Sequence, residues 1–168
     1  MESATTVDMA FRAAMRRFAA TVSIITTSDD GKIHGMTATA VTSLSMDPPS
    51  LLICINQKAS MHDTLLRARR FCVNVLHSDQ VDLSAVFSGK LASAERFQHG
   101  NWVHHEDGLP SLVDAQANLF CRRTASIPYG THTILVGVVE EAGVRDAVSP
   151  LVYQDGVYCA VAPHALPV

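Results

Sequence analysis

The chain has 168 residues, 48% of them hydrophobic and 17% charged, with a formal net charge of -3 at neutral pH. That length makes one domain with a sizeable core and leaves no room for a separate nucleotide-binding domain, so a cofactor site must use core elements or a subunit interface. The slight negative charge and absence of a basic tract argue against nucleic acid, the low charged fraction favours a homo-oligomer, and no window of about twenty apolar residues marks a membrane span.

In chain order, residues 7–20 read as a helix with Phe11, Ala14, Met15 and Phe18 on one side, packing as a lid on a sheet. Residues 21–27 alternate and are β-branched, Asp29, Asp30 and Gly31 are turn formers, and 33–42 resumes strand character, so the pair predicts a hairpin. Pro48 and Pro49 end one strand before 50–56 begins the next. Ser60 with Asp63 reads as a capping pair opening a short helix over 61–68. A strand at 71–76, a short helix at 80–87 and a polar loop at 88–100 with room for one helical turn follow. Strands are then expected at 102–105, 115–127, 133–141 and 151–160.

Long antiparallel strands with helices inserted only between the early ones predict a mainly β fold, a closed or split antiparallel barrel rather than a doubly wound sheet. The expected organisation is a helix at 1–20, a barrel at 21–160 and a tail at 161–168 of a single domain. The early acidic residues argue against a signal peptide, and Cys54, Cys72, Cys121 and Cys159 each lie in an apolar run, which predicts buried reduced thiols and a cytoplasmic protein.

The most informative stretch is GMTATAVTSLSMDPPSLLICINQKAS at 35–60, a run of small and hydroxyl side chains before an apolar strand. Such residues expose backbone amides and hydroxyls with little bulk, which suits a polar chain such as a ribityl phosphate, although a half-exposed sheet edge has the same composition. The first-turn amides after Ser60 offer a further polar edge. Neither a GxGxxG nor a P-loop pattern is present. His104 and His105 are adjacent on an expected strand and face opposite ways, so they make no metal pair, and no GxSxG elbow marks a nucleophilic serine.

Gly35, Thr37, Ala38, Thr39, Ala40, Ser43, Leu44, Ser45, Pro48 and Pro49 form an ordered pattern continued by Asn56 and Ser60. FCVNVL follows at 71–76, then Gln80, Leu83 and Phe87, GLP at 108–110, a GxH at 130–132 and PLVYQDGVY at 150–158. Over nearly its whole length the chain resembles the flavin reductase family, which supplies reduced flavin to two-component monooxygenases. The resemblance implies an FMN-binding split-barrel homodimer, FAD or FMN as the flavin, and NADH or NADPH giving hydride from its C4 to the flavin N5. It also implies flavin contacts from Thr37, Ala38, Thr39, Ala40 and Ser43, and from Asn56, Ser60, Met61 and His62. Lys90 and Arg96 would face the phosphate, Tyr158 and Tyr129 would flank the cleft, and His132 would serve the nicotinamide. Thr131 stands where the family pattern has Asp, which removes a carboxylate partner for His132. A flavoprotein that keeps its flavin, or a flavin-binding dimer without turnover, are the rival readings.

Overall fold

The computed structural model describes residues 5–89 and 91–162; Lys90 and residues 163–168 of the expected tail lie outside the described residues. Helix α1 (Thr6–Met15) is opened by a reciprocal cap, in which the Thr5 hydroxyl accepts from the Asp8 amide and the Asp8 carboxylate accepts from the Thr5 amide. None of its residues is buried, and Phe11 and Phe18 are 63% and 65% exposed. The expected lid is therefore corrected: α1 buries none of its residues on the sheet, and of its apolar side only Met15, at its end, lines a cavity with other described residues.

After β1 (Ala20–Thr21) come β2 (Ser23–Asp29) and β3 (Lys32–Ala38), the expected hairpin. Its turn places Asp30 and Gly31 at positive φ. The single strand expected over 33–42 is broken at Thr39 and Ala40, and β4 (Val41–Met46) begins a different edge of the sheet. Strand β5 (Pro49–Asn56), helix α2 (His62–Arg67), strand β6 (Arg70–Val75), helix α3 (Val81–Ser88) and one turn of helix, α4 (Ser93–Arg96), follow. Then come β7 (Trp102–His104), β8 (Pro110–Leu112), and the long hairpin β9 (Ala117–Tyr129) and β10 (His132–Val144). The run expected as one last strand is a hairpin, β11 (Val152–Gln154) and β12 (Val157–Cys159), because Asp155 and Gly156 take positive φ between them.

Seven strands form one antiparallel sheet in the order β3-β2-β6-β9-β10-β5-β4. Its two edges, β3 and β4, are neighbours in the chain, joined only by Thr39 and Ala40. Ala38 and Val41 are three residue steps apart, roughly 10 Å at full extension, so the sheet must curl until its edges approach at that end. Ile25, Ala38, Ile53, Phe71, Val73, Cys121 and Leu135 meet in one core inside the curl, with Val41 of the far edge packed on it. The edges do not pair with each other, so the sheet is curled but not closed into a barrel.

On the outer side, period-two alternation sends Val22, Ile24 and Leu76 into a second core with Phe87, Leu112 and Leu151. Phe87, Phe97 and Trp102 stack there with ring centroids 5.0–5.2 Å apart. Buried Asn74, the polar member of FCVNVL, is fully used. Its amide donates to the Ile24 carbonyl at 2.9 Å, and its oxygen accepts from the Leu112 amide and the Asn118 side chain at 2.8 Å each. Four strands are thereby pinned by one side chain. Helices α2, α3 and α4 and the β7–β8 hairpin pack on β2, β3 and β6. Leu52, Cys54, Ile134, Val136 and Val138, on the outer face of β5 and β10, are half-buried and belong to none of the buried clusters.

Candidate functional site

Most of the residues singled out from the sequence gather at one end of the curl. There β3 ends at Ala38, Thr39 and Ala40 cross to β4, β5 ends at Asn56, α2 follows Ser60 and Met61, and β10 starts at His132. The register confirms the grouping: the Cys54 amide donates to the Ala40 carbonyl at 3.0 Å, Val41 stands opposite Ile53, and Asn56 opposite His132.

A cavity of about 390 Å³ opens at this end, lined by His34, Gly35, Ser60, Met61, Ser93 and Arg96 among others, with no acidic side chain in its wall. Ser60 is exposed and its hydroxyl has no partner among the described residues. It does not cap α2, as the sequence suggests, because the N-cap position falls on Met61, and the Asp63 carboxylate instead accepts from His62 Nδ1 across 2.9 Å. Arg96 is spent on backbone: Nε donates to the Leu91 carbonyl at 3.0 Å, Nη1 to Gly35 at 2.9 Å and Phe87 at 3.2 Å, and Nη2 to Gly89 at 3.0 Å. These bonds hold the loop after α3 against β3 and keep a positive charge at the cavity wall. Partial burial pushes the His34 imidazole below its ordinary value, which disfavours a positive charge on it.

A second cavity, about 420 Å³, lies on the other side of the same segment, lined by Thr39 and Ala40 together with residues 15, 16 and 18–20 and 153–156. Gly35 lines the first cavity and Thr39 the second, and four residues of extended chain separate them by roughly 13 Å. Both Thr39 and Ala40 are exposed.

The remaining candidates divide. Thr37 donates its hydroxyl to the Ser84 carbonyl at 2.8 Å, and Ser84 Oγ shares a 3.0 Å hydrogen bond with the Tyr158 hydroxyl, so both brace the segment through α3. Ala38 is buried in the core, as is Met61, which still reaches the first cavity. His62 is buried with both ring nitrogens engaged, by Asp63 and by Thr133 Oγ1 at 2.9 Å each, and ties α2 to β10. Ser43 lies apart, in a mainly apolar cavity of about 570 Å³ with Val41, Leu119 and Val139. Exposed His132 lines neither of the first two cavities; its Nδ1 meets Thr131 Oγ1 at 2.9 Å. The sequence reading missed His34, Ser93, Arg16, Phe18 and Tyr153, whose roles in the walls carry no local motif. Cys72 and Cys121 are buried as expected, while Cys54 and Cys159 are only half-buried. Burial pushes the Cys72 thiol up, and Cys121 up to about 12.

An acid-free cavity with a free hydroxyl and a guanidinium, beside a stretch of short side chains, fits a phosphate on a polar chain. The chain belongs to the flavin reductase family: the flavin reductase like domain matches residues 15–162. Among its relatives is the reductase component of the FADH(2)-dependent resorcinol hydroxylase of Rhizobium sp. (strain MTP-10005), 49% identical over 93% of this chain and 88% of that one. The FMN reductase (NADH) RutF of Pseudomonas syringae pv. syringae (strain B728a) is 42% identical over 86% of this chain and 82% of its own. The solved NADH:FAD oxidoreductase SgcE6 of Streptomyces globisporus C-1027, in complex with NAD and FAD fragments, superposes with a TM-score of 0.88 at 30% identity, covering 98% and 99% of the two chains.

Proposed function

We propose that this chain is an NAD(P)H-dependent flavin reductase that reduces FAD or FMN and passes the reduced flavin by diffusion to a partner monooxygenase. The observation that carries the reading is a cavity with Ser60 and Arg96 and no acidic side chain in its described wall, beside a second, largely apolar cavity that holds the exposed Thr39–Ala40 crossing at the far end of the same stretch of β3. Family membership and the relatives named as NADH-dependent reductases support it.

A flavin bound there would accept hydride at N5 from C4 of a reduced nicotinamide. Ser60 and Arg96 take the phosphate, with Lys90 as a further cation from outside the described residues. The short side chains and backbone of Thr39 and Ala40 lie along the ribityl chain and ring edge, Asn56 closes the same end, and Thr37, Ala38, Met61, His62 and Tyr158 hold that surface in place. His132 presents Nε2 to the nicotinamide carboxamide, its other nitrogen occupied by Thr131. The protein acts by orienting two rings and keeping water out, which demands no nucleophile of its own.

In this reading the curled open sheet is a split barrel, and its bare outer face joins two copies. Ile134 stands opposite Cys54 on one side and Ile127 on the other, and Val136 opposite Leu52 and Ala125, an apolar strip that a second copy would cover. Four unpaired thiols fit a reducing, cytoplasmic setting. The test is loss of NADH and NADPH absorbance with and without added FAD or FMN. Consumption that saturates in free flavin is expected; no consumption with any combination would reject a reductase.

A further inference from the structure

The second cavity owes its shape to a contact between two distant segments. Arg16 Nε donates to Asp155 Oδ1 at 2.7 Å and Nη2 to the Asp155 carbonyl at 3.0 Å, while the Asp155 amide donates back to the Arg16 carbonyl at 3.2 Å. Gln154 adds a bond to the Arg17 carbonyl at 3.3 Å. Asp155 and Gly156 form the positive-φ turn of the β11–β12 hairpin, and a Cβ on Gly156 would lie 3.1 Å from Arg16 Nη2. The turn is thus shaped to the guanidinium. The hairpin is braced again on its face, where Tyr153 meets Tyr158 edge-on at 5.3 Å and Tyr158 bonds Ser84, whose carbonyl accepts from Thr37.

This latch sets the distance between two walls. One carries Met15, Phe18, Ala19 and Ala20, the other Tyr153, and Thr39 with Ala40 lines the same cavity. The lining is largely apolar, with an aromatic ring in each wall. Its volume of about 420 Å³ falls in the range of small-molecule pockets, and such walls suit a planar aromatic system. The polar cavity of Ser60 and Arg96 lies at the other end of the same stretch of β3. A ring in one cavity and a phosphate in the other, linked by a polyol chain along Thr37 to Ala40, matches a flavin's sequence of parts.

We propose that Arg16 is a positioning residue that, through Asp155, holds the two walls around the flavin's ring system against Thr39 and Ala40. The proposal rests on the flavin reading above. Arg16→Ala, Asp155→Asn and the double variant are compared with wild type by FMN and FAD titration, followed as quenching of flavin fluorescence, and by the KM for flavin and for NADH. An exposed ion pair of this kind changes an equilibrium by about two- to fivefold. The expected result is a rise of that size in flavin Kd and KM in each single variant, no further rise in the double, and a smaller or absent change in the KM for NADH. Unchanged flavin affinity, additive losses, or a change confined to NADH would overturn the proposal. Absence of flavin-dependent NADH oxidation in wild type would reject the reductase reading instead, and the fluorescence titration tests the latch without turnover. Matching thermal midpoints separate positioning from a folding defect, and a midpoint lowered together with flavin affinity in every variant would count against positioning.

Discussion

At the level of single residues, Gly35 shows how a motif position can be readable while its reason is not. The sequence marks it as the first residue of the small-residue pattern, which suggests close approach to a ligand. In the fold the pressure comes from behind: a Cβ there would sit 2.5 Å from Phe87 Cε1 and 3.0 Å from Phe97 Cζ. Gly35→Ala should cost about 1–3 kcal/mol through overpacking, read as a lower midpoint in urea; an unchanged midpoint would mean the aromatic trio has room to shift. Ser60 shows the converse, since its residue type is as expected but its hydroxyl is released from capping. Arg96 was visible as a cation, whereas its four carbonyl partners are set by how the chain returns after α3 and leave no local trace. His132→Ala should raise the KM for the nicotinamide substrate more than that for flavin, and steady-state kinetics with each substrate varied would reject its role if the order is reversed.

Among the elements, strand existence was readable from alternation and turn residues, and strand continuity was not. The stretch 33–42 has unbroken β character, yet its halves lie on opposite edges, because the curl needs a crossing that local propensity cannot announce. In 151–160 the Asp155–Gly156 pair was a turn signal in plain view, and reading through it merged two strands. Helix α1 kept its amphipathic pattern but buries none of its residues among the described ones, since a pattern names a buried face without naming its partner. The latch between the segment after α1 and the β11–β12 turn has a pH signature. The hydrogen bond and charge of Arg16 hold the Asp155 carboxyl below its ordinary value of 3.8, with Arg17 adding a weaker pull. A depressed folded value means the contribution is whole above the ordinary aspartate range and is lost as pH falls through the lowered value. Flavin Kd should therefore show no latch-dependent change from neutral pH down to that range and rise below it, in wild type but not in Asp155→Asn. A latch-dependent rise already near neutral pH would contradict this.

For the molecule as a whole, α2, α3, α4 and the small hairpin are gathered on one half of the sheet, while Leu52, Cys54, Ile134 and Val136 on the outer face of β5 and β10 belong to none of the buried clusters of the described residues. Composition hinted at this through the low charged fraction, but only the topology says which face is left. A charge in the middle of the strip should keep the fold and separate two copies: Ile134→Glu is expected to elute and sediment as a monomer, with the wild type as a dimer. A wild type that sediments as a monomer would place the apolar strip outside any self-interface. The mainly β class was foreseeable from the alternating segments, whereas which candidate residues come near one another was not, since that depends on how distant strands pair. The open seam was not, since closure depends on pairing between residues far apart in the chain.

The Thr39–Ala40 crossing carries one more implication, for the changes the gene can accept. Surface loops tolerate insertions because their ends are fixed by the elements they join. Here the joining stretch itself fixes the ends, drawing the first and last strands together. Substitutions at these two positions can adjust what lies against them, but a change in their number would let the seam gape, or shear the register of β4 against β5. The count of residues at this point is therefore under tighter constraint than their identity.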